Sequence, residues 1–549
     1  MSPVDVAPWN RRHPVLTGVA VVVIIASVVV GVVFLVRSLS CGDGMVGGDK
    51  TDACVGVNLS GDRFSDDQPE RLTGLVNRVQ ANNDAVTGDN YVSIVLMLNM
   101  SPVAGVDTAT VDDVYRNVEG ALTAVWRANH MSTFSQTLPG DTDPVPAIKL
   151  LLANTGSENA DWEATVDQIA KAKEDNHITA VTGLSQSTTP TRQAVAKLIT
   201  GTGIPVIGAS VTGDRMNLDV RDESRYLDGF YRIAPTNTGT VVAATSYIAN
   251  QLRIDFKDVA IVEDNTADDD YIATLIKAAH SRMPGATPYP FTSPAASDPV
   301  QRRDDSLKGQ FGYMDTLLCK QPPRLVYFAG RGADIGTFVT SWAHSGTCAN
   351  KPLHLLTGDD ALEATVDHRV LEAVATGQVK VQYTALASPD KWGSCPDGDT
   401  TPRPDRKASD ERKVYADFEA AFTGKANCDA DKPVPADGAA PLDFPVDDLA
   451  TGQSMIAHDA VALAVLAARR AGKGVLADPF SSQRGILQQV RCANGLIPGA
   501  SGPIRFGKDS HGDPVGVVLP IMDIGKSGKA TTVFTGLPTT DDPNAGKDC

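Results

Sequence analysis

The chain has no Gly-x-Ser-x-Gly elbow, no His-Glu-x-x-His pair and no Gly-x-x-x-x-Gly-Lys loop. The usual signatures of a serine hydrolase, a zinc protease and a phosphate-loop nucleotide enzyme are therefore missing, and a role other than catalysis is expected. None of the eight cysteines forms a Cys-x-x-Cys pair, and the nine histidines are scattered, which argues against a zinc site. The acidic loop from Glu263-Asp264 to Asp268-Asp269-Asp270 lacks the Asp/Asn-x-Asp-x-Asp-Gly spacing of a calcium loop and reads as a soluble loop placing acids at a helix N-terminus. No cofactor is expected. A net charge of −17 with no long basic run argues against nucleic acid as a partner, and none is expected. A short-period internal repeat is also missing.

One long uncharged stretch is present. Val15 to Val36 is dominated by Val, Ile and Ala, and at about 1.5 Å per residue it is long enough to span a bilayer's hydrocarbon core. Arg11 and Arg12 precede it and Arg37 follows, so the positive-inside bias places residues 1–14 in the cytoplasm. Ser38-Leu39-Ser40-Cys41 is loosely like a lipoprotein cleavage box, but the apolar run is too long and Ser38 stands where Leu is usual. The expected location is the cell membrane: a single uncleaved anchor over 15–36, with the bulk of the chain outside the cytoplasm. Disulfides suit that compartment. Nearest-neighbour pairing gives Cys41–Cys54, Cys319–Cys348, Cys395–Cys428 and Cys492–Cys549, one of 105 connectivities open to eight cysteines.

The clearest fold signal lies in residues 178–212. An apolar run, Ile178 to Val181, stops at Gly183, and a hydroxyl-rich loop follows with Ser185, Ser187, Thr188 and Thr189. Pro190 opens a helical pattern that Gly201 and Gly203 close, and Ile204 to Ile207 leads to a second hydroxyl loop ending at Ser210 and Thr212. This is a βαβ unit whose loops lie at the carboxyl ends of parallel strands, where open α/β sheets bind ligands. Its hydroxyls either cap the helix or, with the free helix N–H groups, hold a small anion such as a carboxylate.

The same alternation runs on both sides: strand Tyr91 to Leu98, helix Val111 to His130, strand Ile148 to Leu152, helix Trp162 to Lys173. After a linker, Gly229 to Leu252, a second series begins with strands at Val259, Leu325 and Leu353 and helices at Tyr271 and Ile335. At 549 residues the chain exceeds one core, and two Rossmann-like α/β lobes around a hinged cleft are expected. The expected divisions are an extracytoplasmic N-terminal segment over 37–90, lobe one over 91–240, lobe two over 241–447, and a return helix with a C-terminal hinge hairpin over 448–549.

Several separated segments carry a family resemblance across roughly residues 90–535. Gly229-Phe230-Tyr231-Arg232 with Pro235-Thr236-Asn237 resembles a crossover in which Asp is usual at Asn237. Val259-Ala260-Ile261-Val262 with Asp270-Tyr271 resembles the start of a second lobe, Ile272 replacing Gly. Ala457-His458-Asp459-Ala460 resembles a helix with Tyr at His458, and Gly502-Pro503-Ile504-Arg505-Phe506 with Gly512-Asp513 a closing hairpin. In that order these motifs resemble type I periplasmic binding proteins of the branched-chain amino acid kind, the substrate-binding proteins of ABC transporters. The resemblance implies that Ser187 and Thr188, with Ser185 as an alternative, and Thr212 hold a ligand's carboxylate. It implies Asp359, or the adjacent Asp360, for the ammonium, and Tyr271 as an aromatic cover; a helix cap is the other reading of Asp359. Arg331 departs from the pattern, standing where an aromatic residue often lines the cleft. It either pairs with a second acid on the ligand, pairs with Asp359 and closes the site to ordinary amino acids, or lies exposed and uninvolved. The implied role is capture of a small polar, amino-acid-like solute for an ABC-type permease. The alternative is a sensory or scaffold ectodomain of the same fold acting with another membrane protein, with or without an amino-acid ligand.

Overall fold

The computed structural model describes residues 41–130, 146–184, 186–266, 269–295, 298–348, 350–392, 410–425, 439–440, 442–471, 498–507 and 509–538. The expected anchor at 15–36, Ser185 and the cysteines 395, 428, 492 and 549 lie outside the described residues. No helix among the described residues is long and apolar enough to cross a membrane.

Lobe one is built on a seven-stranded sheet. Its strands are β1 (Met45–Gly47), β2 (Cys54–Asn58), β3 (Tyr91–Leu98), β4 (Ala147–Asn154), β5 (Ile178–Gly183) and β6 (Val206–Gly208). A separate two-stranded ribbon, β7 (Leu218–Asp219) and β8 (Asp222–Tyr226), precedes β9 (Phe230–Arg232), which completes the sheet in the order β1-β2-β4-β3-β5-β6-β9. Strands β4, β3, β5, β6 and β9 are parallel, while β1 and β2 form an antiparallel edge. Helices α1 (Glu70–Ala85), α2 (Val111–His130), α3 (Trp162–Ala172) and α4 (Thr189–Lys197) cover the two faces. The parallel strands read as continuous apolar runs because both faces are covered.

Lobe two begins with helix α5 (Asn237–Ser246). Strands β10 (Val259–Asp264), β11 (Thr287–Phe291), β12 (Leu325–Ala329), β13 (Leu353–Thr357) and β14 (Val379–Thr384) follow, all parallel. Helices α6 (Asp270–Arg282), α7 (Val300–Leu318), α8 (Gly332–His344) and α9 (His368–Thr376) pack against them. The antiparallel strands β15 (Val518–Ile524) and β16 (Ala530–Pro538) complete this sheet beyond β14. Residues 518–538 are therefore the edge of lobe two's sheet.

Between β14 and β15 the chain returns to lobe one. Helix α10 (Asp410–Thr423) lies within the span expected for lobe two, yet Tyr415, Phe418 and Phe422 join lobe one's core beside Leu463 and Val465 of helix α11 (Gln453–Ala471). Amphipathic spacing shows that a helix face must be buried but not which lobe buries it. The chain thus crosses between lobes three times, near 233–237, 385–388 and 507–517. Arg232, fully buried, ties the first and third crossings together. Its Nε donates to Asp513 Oδ1 at 2.7 Å and its Nη1 to the carbonyls of Val211 and Gly213 at 3.1 and 2.7 Å.

Two of the expected disulfides are present. Cys41–Cys54 fastens the start of the described chain to β2, and Cys319–Cys348 joins the end of α7 to the turn after α8.

Candidate functional site

The carboxyl ends of the parallel strands of both lobes face a shared cleft, as the topology requires. Its floor is closed by direct contacts between the lobes. The Thr212 hydroxyl of lobe one donates to the Asp359 carboxylate of lobe two at 3.3 Å. The Tyr271 N–H donates to the Ser187 carbonyl at 3.0 Å, and the Asp214 N–H to Thr274 Oγ1 at 3.2 Å. Beside them Asp270, fully buried at the start of α6, takes Arg192 at 3.3 Å and also pairs with Arg215, both from lobe one.

The residues singled out from the sequence divide into two groups. Thr212, Tyr271, Arg331, Asp359 and Asp360 come together. Asp359 and Asp360 follow β13, and Asp360 accepts from the Gly332 N–H at 3.3 Å while its own N–H donates to the Tyr271 hydroxyl at 3.2 Å. Glycine is required at two of these approaches: a Cβ on Gly358 would lie 2.5 Å from the Tyr271 hydroxyl, and one on Gly332 would overlap the Asp360 carbonyl oxygen. Ser187 and Thr188 are engaged elsewhere. Ser187 Oγ accepts from the Gly213 N–H at 2.9 Å, and Thr188 caps α4, its Oγ1 accepting from the Thr191 N–H at 3.4 Å. Thr188 still lines the cleft.

Arg331 is neither exposed nor paired with Asp359. Its Nε and Nη2 each donate to the Asp269 carboxylate at 2.9 Å in a bidentate fork, and Nη1 reaches Asp360 at 3.3 Å. The guanidinium also stacks 4.6 Å above the Tyr271 ring. Burial opposes its charge, but Asp269 and Asp360 hold its pKa above the ordinary arginine value. Asp269 and Gln186 are the site residues that sequence reasoning missed. Asp269 stood in the acidic loop, and its bidentate use depends on which strand end faces that loop.

Burial, and then the neighbouring Asp360 charge, push the Asp359 carboxyl up to about 7. Burial also raises Asp360, opposed by Arg331. The Thr212–Asp359 contact therefore joins a hydroxyl to a carboxyl held well above the usual carboxylate range.

Two cavities flank this floor and share Thr108 and Gln186. A small one of about 70 Å³ includes Asp359, Asp360, Ser210, Tyr383 and Gln453 in its walls, enough for a few waters. The other, about 1050 Å³, opens between the lobes. Lobe one contributes Asp107, Glu158 and Thr188 to it, and lobe two Asp264, Arg331 and Asp334. No group of metal-ligating side chains occurs among the described residues.

No family model and no curated protein matches the chain in sequence. Solved structures do match in fold. The leucine-binding protein LivK of Thermotoga maritima aligns at 16% identity and a TM-score of 0.52, covering 81% of this chain and 99% of its own. The branched-chain amino acid transporter substrate-binding protein LivJ of Streptococcus pneumoniae, solved with isoleucine, aligns at 16% identity and a TM-score of 0.51, with the same coverage of 81% and 99%. An ABC transporter substrate-binding protein of Aeropyrum pernix gives 12% identity and a TM-score of 0.55 over 84% of this chain and 98% of its own. What they share with this chain is the type I periplasmic binding protein fold.

Proposed function

We propose, for a chain with the type I periplasmic binding protein fold, that it is an extracytoplasmic receptor closing two lobes around a small polar solute. The observation that carries this reading is the cavity of about 1050 Å³ between the lobes, lined by polar side chains from both. A ligand touching both walls favours the closed arrangement by its differential contacts, and the three crossings supply the hinge. The solute is amino-acid-like, as with the leucine- and isoleucine-binding proteins of this fold. The residues at 15–36 tether the receptor to the membrane, where an ABC-type permease receives the solute.

The direct Thr212–Asp359 and Tyr271–Ser187 contacts favour a second reading. Groups of the protein itself hold the lobes together at the floor, so a sensory or scaffold ectodomain can keep one shape for a membrane partner to read. Thermal unfolding of the purified protein against a panel of amino acids and small metabolites separates the two. A solute at 100 times its dissociation constant adds about 2.7 kcal/mol, a clear rise in midpoint. A silent panel with folded protein rules out the receptor reading.

A further inference from the structure

The charges around the large cavity are unevenly satisfied. Two of its three arginines are committed to acids, Arg331 to Asp269 and Asp360 and Arg369 to Asp367 at 2.7 Å, while Arg303 donates to the Gly105 carbonyl across the cleft at 3.1 Å and its charge favours the ionised forms of Glu158 and Asp334. Three acids on its walls are placed differently. Asp264, at the end of β10, is 1% exposed, and its Oδ1 collects the Thr266 N–H, the Thr266 hydroxyl and the Ser293 N–H at 3.0, 2.6 and 3.0 Å. Its Oδ2 has no hydrogen-bond partner among the described residues. A buried carboxylate oxygen without a donor is destabilising unless something supplies one.

Asp334, in the first turn of α8, is bridged to Asp264 through Ser293, whose hydroxyl donates to Asp334 Oδ2 at 2.5 Å. Burial, with the Asp264 charge added, raises the Asp334 carboxyl to about 6 against the Ser293 hydrogen bond and the Arg303 charge. Across the cleft stands Glu158 of lobe one, an exposed side chain on a left-handed backbone, φ +57°. Its N–H is held by Asp107 Oδ1 at 2.6 Å. A non-glycine residue in that conformation is held there by its surroundings, and such residues concentrate at ligand clamps.

We infer that the solute of the proposed receptor carries a net positive charge, an ammonium or guanidinium with no carboxylate to balance it, that seats between Asp264 and Asp334 of lobe two and Glu158 of lobe one. The inference rests on the receptor reading and names the charge class of its ligand. An ammonium or guanidinium brings several donors, supplies the one that Asp264 Oδ2 lacks and is attracted by carboxylates from both lobes, so its binding favours closure.

The test is isothermal titration of the full-length chain with putrescine, agmatine and lysine, beside leucine as the zwitterion and glutamate and benzoate as anions. At least one of the three cationic probes binds, and Asp264→Asn and Glu158→Gln each weaken it tenfold or more. Asp264→Asn keeps the Oδ1 acceptor for Thr266 and Ser293, and Glu158→Gln alters an exposed side chain, so folding is preserved in at least the second. Binding confined to leucine or the anions overturns the inference while leaving the receptor reading standing. Cation binding unchanged in both variants overturns the assigned seat. No binding by any probe overturns the inference, and the thermal panel then decides the receptor reading.

Discussion

Replacing Asp359 by Asn tests the electrostatics of the cleft floor. With its carboxyl raised to about 7 in the folded protein against about 3.9 in an unfolded chain, the folded state binds the extra proton. Stability from this group is fully present below the unfolded value and is lost as pH rises through about 7. The slope is at most about 1.4 kcal/mol per pH unit between those values, so wild type loses roughly 2–4 kcal/mol across the window relative to a permanently neutral side chain. Asparagine is that side chain: it keeps an oxygen for the Thr212 hydroxyl and does not titrate. Urea unfolding at pH 4, 5, 6 and 7 measures the difference between the two proteins. Other raised carboxyls, such as Glu119, affect both proteins alike and cancel. Asp359→Asn gains on wild type at each step upward, and its own stability varies less with pH. Parallel stability curves refute the assignment of a raised, buried carboxyl at the lobe contact.

Removing the Arg331 guanidinium as Arg331→Met leaves Asp269 and Asp360 facing each other without their cation, and a loss of about 3–5 kcal/mol is expected by thermal or urea unfolding. Asp270→Asn leaves Arg192 and Arg215 without their shared carboxylate; Arg215 is partly exposed, so a smaller loss of roughly 2–3 kcal/mol is expected, with a larger radius of gyration by small-angle scattering. Cys319→Ser with Cys348→Ser opens a loop of 29 residues and lowers stability by about 3–4 kcal/mol, and a reducing agent, which also opens Cys41–Cys54, lowers wild type by at least as much. Gly332→Ala drives a methyl into the Asp360 carbonyl and lowers stability by about 1–3 kcal/mol in the same assay.

Much of the two-lobed fold is legible in the sequence because buried parallel strands leave unbroken apolar runs. Tyr91 to Leu98 and Val111 to His130 are an observed strand and helix at those bounds. The βαβ unit at 178–212 is present, and its second hydroxyl loop delivers Thr212 to Asp359. Pairing across the cleft is not written locally. The sequence leaves Arg331 with a ligand's acid, with Asp359 or exposed, and only the fold gives it Asp269 and Asp360. Likewise the hydroxyl of Ser187 is spent on Gly213 because two loops of one lobe meet there. The lobe that receives α10 is equally a long-range fact, set by the aromatic space beside α11.

The three crossings also govern the order in which the protein can form as it is made. Lobe one's strands are all synthesised by residue 232, yet helix α11, which fills one face of their sheet, arrives more than two hundred residues later. Lobe two waits longer still, since β15 and β16 are among the last described residues. Lobe two begins before lobe one is complete, so a nascent chain carries two open cores from about residue 259 until α11 is made. Lobe one seals with α11 and lobe two only with the final strands, and in the meantime the exposed apolar sheets need protection from aggregation.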